Sequence, residues 1–587
     1  MTTYRYGSIG RLFAGLAVMV SLMAGAMAQT VTTPGGTFPS ETFQGAAGNG
    51  ITDFLGIRFA APPTGNLRFA PPAPPAAVAG TVSATSFGSG CPQSASPFGT
   101  ASTSEDCLFL NVYVPGSSVS SKNNMPVMVF FYGGAFVDGE GSLYDPTNMA
   151  IQGNTIVVTI NYRLGILGYM ADAALSAESS NSVSGNYGFL DQLFALQWVQ
   201  QNIGAFGGNP HDVTIFGESA GGFSVCAAVV SPSGSGLFQR AITESGPCGE
   251  PLPTLAGASA SGAAIVSALG CADSSNAATV ACLRDLSVDA ILEEQSKVTS
   301  AASLSSLAAF FPNVDGKFIP QEPILALALG EYNKVPVIEG TNHDEGRLFV
   351  ALAFDLNPAI GTITDADYQP AIQAIASTLV TEEAGLLATS STMASTNAGS
   401  SAQEVQQITQ QILNEYPLKN FSGPGTALGA VLTDSLFSCT ANITDELLSL
   451  TVPTFAYELN DENVPTPLLP PVSFPYGATH TDELQFLFTL NGVPSSTRLS
   501  SAEDTLSATM QNYWTSFAAN GSPNSRNTET WLAFDLLDDN TQSLVPPTPS
   551  IAFNLASEHH CDFWIGILEE TVLDSVASTL KADGITE

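Results

Sequence analysis

Runs of apolar residues alternating with amphipathic stretches are the most regular feature of this chain. Three runs are rich in apolar and β-branched residues, which is typical of strands buried on both faces. They are Met125–Phe131, Thr155–Ile160 and Val213–Phe216. Between the second and third runs, apolar residues recur at helical spacing from Leu190 to Ile203. This alternation predicts an α/β fold, with a large, mostly parallel central sheet and helices on both of its faces.

The third apolar run leads directly into a Gly-x-Ser-x-Gly turn. Gly217 and Gly221 flank Ser219, and the helix-compatible stretch Phe223–Ala228 follows. A glycine-rich turn without special function is one interpretation of the motif taken alone. The strand before it and the helix after it favour a nucleophile elbow, in which the serine hydroxyl lies above the strand end. The first N–H groups of that helix would then favour a negative charge developing beside the serine.

A second glycine-rich segment follows the apolar run that ends at Phe131. Its sequence is Tyr132-Gly133-Gly134-Ala135-Phe136. Glycines directly after a central strand allow backbone N–H groups to face a cavity, although a plain turn is the alternative. Because the chain also carries the Gly-x-Ser-x-Gly turn, we interpret this segment as an oxyanion-binding loop.

A serine nucleophile requires a histidine base and an acid that orients the histidine. The chain has five histidines, of which His211 precedes the serine's strand and so lies at the wrong end of it. His480 comes late in the chain and gives the order serine, acid, histidine that accompanies a nucleophile elbow; a histidine in a surface loop is the alternative. Asp344 and Glu345 both qualify as the acid, and the local pattern does not separate them.

The composition is that of a globular and strongly acidic protein. Hydrophobic residues make up 44% and charged residues 12% of the 587 residues, and the net charge is −37. Such a chain repels nucleic acid and anionic membrane surfaces, so neither is an expected partner.

The N-terminus has the pattern of a secretory signal peptide. Arg5 and Arg11 precede the apolar stretch Leu12–Ala26, and Ala26-Met27-Ala28 fits a small-x-small cleavage site. A membrane anchor is the alternative, but the stretch is short for a bilayer span, so we expect no stable membrane insertion. We predict a signal peptide over residues 1–28, a single domain over residues 29–587, and a secreted or periplasmic protein.

Export would permit disulfide bonds between the eight cysteines. Two pairs are close in sequence, Cys91 with Cys107 and Cys271 with Cys282, and each would close a short loop. Cys226 lies in the apolar stretch after the serine and is interpreted as a buried thiol. His559-His560-Cys561 is dense in potential metal ligands but lacks a suitable fourth ligand nearby, so no metal site is predicted.

Several longer motifs, in the same order, make the chain resemble the type-B carboxylesterase/lipase family, which includes cholinesterases, bile-salt-activated lipase and many microbial esterases. The resemblance covers about residues 30–565 and includes the Gly-x-Ser-x-Gly turn. The other matching motifs are Glu105–Asn111, Tyr132–Phe136, Asn161–Gly165, Gly185–Gln192 and Phe206–Pro210. The resemblance implies an α/β-hydrolase fold and hydrolysis of small-molecule or lipid-like esters through an acyl-enzyme, without a metal or cofactor.

The resemblance also implies roles for individual residues. Ser219 would be the nucleophile, His480 the base and Glu345 the triad acid, with Asp344 a structural neighbour. The oxyanion hole would consist of the backbone N–H groups of Gly134, Ala135 and Ala220. Ala135 stands where a third glycine is common in the family, but its N–H remains available. Glu218 would tune the site, and Ser245 would lie near the triad.

The resemblance implies three disulfide bonds: Cys91–Cys107, Cys271–Cys282 and, less generally among microbial members, Cys439–Cys561. Cys226 and Cys248 would then be free. The loop between Cys91 and Cys107 is short, whereas yeast-type lipases of the family have a long lid there. The short loop favours a carboxylesterase over a lipase or sterol esterase. A non-catalytic adhesion or binding protein, the other alternative, would be expected to lack a triad residue.

Overall fold

The computed structural model describes residues 27–299, 309–388, 398–493, 498–526 and 528–567. The predicted apolar stretch Leu12–Ala26 and the two arginines before it lie outside the described residues. None of the helices within the described ranges combines the length and apolar composition that crossing a membrane requires.

A thirteen-stranded sheet forms the centre of the molecule, with strand order β1-β2-β3-β5-β8-β6-β9-β10-β11-β12-β14-β15, while β4 pairs with β2. The strands are β1 Met27–Thr32, β2 Thr42–Gly48, β3 Ile51–Arg58, β4 Thr81–Ser83, β5 Phe109–Pro115, β6 Met125–Phe131, β7 Tyr144–Asp145, β8 Ile156–Ile160, β9 Gly208–Glu218, β10 Arg240–Glu244, β11 Val337–Asn342, β12 Thr454–Leu459, β13 Thr489–Leu490, β14 Thr541–Leu544 and β15 Ser550–Ala552. The short strands β7 and β13 pair separately.

The middle of the sheet is parallel, as the apolar runs predict. Strands β8, β6, β9, β10, β11, β12 and β14 pair in parallel, and antiparallel strands extend the sheet at both edges. Every residue of β8 is buried, as are the last five of β6, because helices cover both faces of these strands. The carboxyl ends of parallel strands meet at one edge, which is where ligand sites form in such sheets.

Besides the helical residues 561–567 at the end of the described chain, seventeen α-helices of the described residues connect and cover the strands. They are α1 Thr147–Gly153, α2 Gly165–Tyr169, α3 Ala173–Glu178, α4 Tyr187–Asn202, α5 Ala220–Val230, α6 Leu255–Ala268, α7 Asn276–Asp285, α8 Val288–Thr299, α9 Pro323–Leu329, α10 Gly346–Ala353, α11 Asp365–Ala388, α12 Ala398–Glu415, α13 Pro424–Thr433, α14 Cys439–Ser449, α15 Leu484–Leu487, α16 Ser501–Asn520 and α17 Leu555–Glu558.

The apolar core has two parts. The larger surrounds the sheet, and the smaller lies among α10 to α14 and the C-terminal residues up to 567. The smaller core contains buried Tyr416 and Trp564, together with Cys439 and Cys561. It therefore joins the C-terminal end of the described chain to the helices beside the sheet.

The structure contains four disulfide bonds. Three join the pairs that the family resemblance implies: Cys91–Cys107, Cys271–Cys282 and Cys439–Cys561. The fourth joins Cys226 to Cys248, so the expectation that these two cysteines are free thiols is wrong. Their pairing depends on a long-range contact, because Cys226 lies on α5 and Cys248 follows β10, which packs against that helix.

Candidate active site

Ser219 occupies the sharp turn between β9 and α5. Its φ of 56° and ψ of −123° lie outside the regions that non-glycine residues ordinarily adopt. Both flanking glycines are required by close packing. A Cβ on Gly217 would lie 2.5 Å from the Gly221 oxygen, and one on Gly221 would lie 1.8 Å from the Phe131 oxygen. The turn is fixed to the neighbouring strand β10 because the Ser219 N–H donates to the backbone oxygen of Glu244 at 2.8 Å.

The segment after β6 folds into a tight loop beside this turn. Gly134, Ala135 and Phe136 all have positive φ, and the Gly134 oxygen accepts the N–H groups of Val137 and Asp138. A Cβ on Gly133 would lie 2.9 Å from the Ser219 Cβ, so the loop backbone runs directly against the serine. The N–H of Ala220 is in the first turn of α5, where helical N–H groups have no partner within the helix.

Glu345 and His480 come together from two loops at the same edge of the sheet. Glu345 lies just after β11, and its Oε2 lies 2.6 Å from Nδ1 of His480, whose side chain is 3% exposed. The other carboxylate oxygen of Glu345 accepts the Asn342 N–H at 2.7 Å. This second bond fixes the carboxylate in the orientation in which it reaches the imidazole.

Asp344, the other candidate acid, points elsewhere. Its carboxylate accepts the Ala478 N–H at 3.1 Å and pairs with Arg347 at 2.7 Å. It thus supports the loop that carries His480 without contacting the imidazole itself. The choice between adjacent acids, which the sequence pattern leaves open, is made by the way the loop after β11 turns into α10.

Nε2 of His480 faces the interior of the site, where Glu218 Oε1 lies 3.3 Å away. Glu218 is buried, and its burial together with the nearby charges of Glu483 and Glu345 raises the pKa of its carboxyl well above the usual value. The raised pKa favours the protonated, uncharged form of the Glu218 carboxyl beside the serine.

Two further buried carboxyls, Glu244 and Glu483, lie near Glu218. The indole N–H of Trp514 donates to Glu244, and the side-chain amide of Asn342 donates to Glu483. Burial and the charge of Glu345 raise the pKa of Glu483 from 4.5 to about 7. Sequence reasoning missed both residues. The only sequence signals for them were their positions: Glu244 directly precedes Ser245, and Glu483 comes three positions after His480.

Aromatic rings enclose the site on two sides. Phe349 and Phe437 contact the imidazole of His480, with ring centroids 4.9 and 5.2 Å away. Phe223, on the first turn of α5, packs against Phe311 at 5.2 Å, and both rings are partly exposed. An apolar wall beside a polar centre is suited to an uncharged organic substrate.

The other residues singled out in the sequence lie apart from Ser219, His480 and Glu345 or in supporting positions. His211 is exposed near the start of β9, eight residues or about 26 Å of strand from Ser219. His559 lies between Asp434 and Glu458, and Cys561 is in a disulfide bond, so this cluster is not a set of free metal ligands. Ser245 is buried after β10 with its N–H bonded to the Gly340 oxygen.

The sheet topology and the strand-turn-helix around Ser219 define an α/β-hydrolase. The profile of the carboxylesterase family matches residues 27–564. The sequence is 34% identical over 552 residues to the cocaine esterase of Homo sapiens, covering 90% of this chain and 89% of that protein. It is 40% identical over 314 residues to the para-nitrobenzyl esterase of Bacillus subtilis (strain 168), covering 52% of this chain and 62% of that protein.

The solved structure of a PNB esterase superposes on this chain with a TM-score of 0.72 at 30% identity, covering 91% of this chain and 99% of the other. Together with the profile match, these similarities show that the chain belongs to the carboxylesterase family. It is therefore a carboxylic ester hydrolase.

We predict that Gly134→Ala lowers kcat for ester hydrolysis by about 100-fold or more, because it would displace the loop that lies against Ser219. The new Cβ would lie 2.2 Å from the Asp138 carboxylate and 2.4 Å from its backbone oxygen, so the loop would have to move. Steady-state kinetics with a p-nitrophenyl ester measures the change. Gly236→Ala is the matched control, because Gly236 also has positive φ but has no described atom within 4 Å of the new Cβ. Equal activity of the two variants would contradict the prediction.

We predict that Glu483→Gln flattens the dependence of stability on pH. The folded protein binds the Glu483 proton more tightly than the unfolded chain does. Its contribution to stability is therefore full below pH 4.5 and is lost as the pH rises through about 7. The variant should unfold at a higher temperature than the wild type at pH 8, as measured by circular dichroism. Exposed Glu462→Gln is the control, and an unchanged slope between pH 4.5 and 7 in Glu483→Gln would refute the prediction.

Proposed function

We propose that this protein is a secreted carboxylic ester hydrolase that uses Ser219, His480 and Glu345 as a catalytic triad. The observation that carries the proposal is the buried contact of 2.6 Å between Glu345 and His480 Nδ1, at the sheet edge where the Ser219 turn also lies. With Nδ1 directed at a carboxylate, the neutral imidazole holds its proton there and leaves Nε2 free to accept another.

In the first half of the reaction, Ser219 Oγ attacks the ester carbonyl carbon while His480 Nε2 takes the hydroxyl proton. Glu345 stabilises the imidazolium that results. The C–O bond to the alcohol then breaks, His480 returns its proton to the departing oxygen, and the acyl group remains on Ser219.

The negative charge on the carbonyl oxygen is held by the N–H groups of Gly134, Ala135 and Ala220. Two features of the site support this role: the oxyanion loop lies directly against the Ser219 side chain, and Ala220 is the first residue of α5. Preorganised donors of this kind each contribute about 3 kcal/mol to lowering the barrier. The raised pKa of Glu218 helps, since it disfavours an ionised carboxylate that would repel the oxyanion.

In the second half, water attacks the acyl-enzyme. His480 accepts a proton from this water, the oxyanion forms in the same hole, and the bond to Ser219 Oγ breaks with the proton returned to the serine. The products are the alcohol, the carboxylic acid and the free enzyme. All the groups that these steps require belong to the chain or to the ester and water, so the proposed mechanism uses no metal or cofactor.

Secretion is part of the proposal. The pattern of residues 1–28 is that of a cleaved signal peptide, and four disulfide bonds suit an oxidising compartment outside the cytoplasm. Cleavage after Ala28 would leave residues 29–587 as a single domain that begins within β1.

A lipase or sterol esterase acting on long-chain esters is the second candidate. The partly exposed rings of Phe223 and Phe311 favour it, because they would suit an extended acyl chain. The short loop between Cys91 and Cys107, which are 16 positions apart, favours an open site over one covered by a long lid. A non-catalytic binding protein would have no need of a paired His480 and Glu345 beside a strained serine.

We expect Ser219→Ala to lower hydrolysis of p-nitrophenyl esters by at least about 10⁴-fold, because the nucleophile is removed. Rates should be measured from acetate to palmitate, with exposed Ser233→Ala, beyond the far end of α5, as the control. Higher activity on short soluble esters would support the carboxylesterase. A preference for long chains that increases when the substrate forms an emulsion would support the lipase. Activity that survives in Ser219→Ala would refute the proposed mechanism.

A further inference from the structure

The imidazole of His480 is held by more than its bond to Glu345. Phe349 and Phe437 contact the ring, and the two phenyl rings are themselves nearly parallel, with centroids 5.5 Å apart and an interplanar angle of 15°. Phe349 lies on α10, four residues after Glu345, so the acid and this ring are carried by one short rigid segment. Phe437 comes from a different part of the chain.

Phe437 lies in a single turn of π-helix, Asp434–Ser438, between α13 and α14. Such turns interrupt the regular advance of side chains along a helix and are frequent at functional sites. Phe437 is 4% exposed, so its contact with His480 is shielded from water. The helix before it packs tightly on α10, where the Gly346 N–H donates to the Thr433 hydroxyl at 2.9 Å.

The π-helical turn is anchored at its first residue by a buried polar network. One Asp434 carboxylate oxygen accepts the Tyr416 hydroxyl, and the other lies 2.6 Å from His559 Nδ1. The second ring nitrogen of His559 lies 2.5 Å from Glu458 on β12. Burial opposes a charge on His559, but Glu458 and Asp434 together raise its pKa well above the usual value. The imidazole of His559 thus bridges the side chains of Asp434 and Glu458.

The other end of the turn is anchored covalently. Cys439 follows the turn directly and is bonded to Cys561, two residues after His559. Trp564 completes the connection, since its indole N–H donates to the Tyr416 hydroxyl at 2.6 Å. The C-terminal segment 559–564 thus contacts both ends of the turn that carries Phe437.

We propose that Phe437 is a positioning residue for His480, and that the Asp434–His559–Glu458 network and the Cys439–Cys561 bond hold it against the imidazole. The proposal rests on the proposed function, because it requires His480 to be the base. A bond to Nδ1 leaves the ring free to tilt about that bond, whereas two phenyl rings fix its plane and so the direction of Nε2. Correct orientation of a base changes the rate of proton transfer and leaves substrate binding largely unchanged.

The test is Phe437→Leu, which keeps an apolar side chain but removes the flat ring. We expect kcat for the best p-nitrophenyl ester to fall about tenfold, as for a slightly misplaced catalytic group, with KM within about twofold of wild type. Phe421→Leu is the matched control, because Phe421 packs against the neighbouring smaller core and stacks on Tyr416 instead of His480. Equal kcat values for the two variants, or a loss confined to KM, would overturn the proposal.

A second variant, His559→Gln, alters the Asp434–His559–Glu458 network but keeps the side chains of Phe437 and His480. It provides the test if Phe437→Leu does not fold. We expect the same fall in kcat at unchanged KM, measured well below the melting temperature of the variant. A lower melting temperature with unchanged kcat would show that the network contributes only stability, and would overturn this part of the proposal.

The result for Ser219→Ala separates this proposal from the proposed function. If that variant remains active, the triad itself is wrong and His480 needs no positioning. If that variant is inactive while Phe437→Leu behaves as Phe421→Leu does, the triad stands and only the positioning role of Phe437 fails.

Discussion

The buried bond between Glu345 and His480 is the interaction on which the rest of the site depends. It joins the loop after β11 to a loop that lies 135 positions further along the chain. Burying a carboxylate and an imidazole away from water costs free energy. That cost is offset only where the remaining carboxylate oxygen also accepts a hydrogen bond. The backbone N–H of Asn342 satisfies the second oxygen of Glu345, and Asp344 holds the loop that carries His480.

The carboxyls around this bond show how the electrostatics of the site are balanced. Glu218 is buried close to Glu244, Glu483 and Glu345, and ionising all four carboxyls in so poorly solvated a place would cost much free energy. Burial raises the pKa of Glu218, Glu244 and Glu483 above the usual value, and the geometry makes Glu345 the acid bonded to Nδ1 of the imidazole. These glutamates therefore fill different roles, because Glu345 bonds to Nδ1 of His480 at 2.6 Å while Glu218 lies 3.3 Å from Nε2 on the other side of the ring.

The central strands and the Ser219 turn could be predicted from the sequence because their causes are local. A strand buried on both faces is necessarily apolar, and a serine in a strained turn needs glycines on either side. Local patterns could not distinguish Asp344 from Glu345, since both follow the same strand and only the turn into α10 decides which reaches His480. The Cys226–Cys248 bond, Glu483 and Phe437 were missed for the same reason: each acquires its role through residues distant in sequence.

The central claim is that Ser219 is the nucleophile and that the folded site activates it. Its most direct test is to label the native protein with a fluorophosphonate ester and map the adduct by mass spectrometry. The account predicts one phosphonate per chain on the peptide containing Ser219, loss of esterase activity in proportion to labelling, and no reaction after denaturation. Full loss of activity with the phosphonate on a different residue, or continued hydrolysis by protein fully labelled at Ser219, would contradict it.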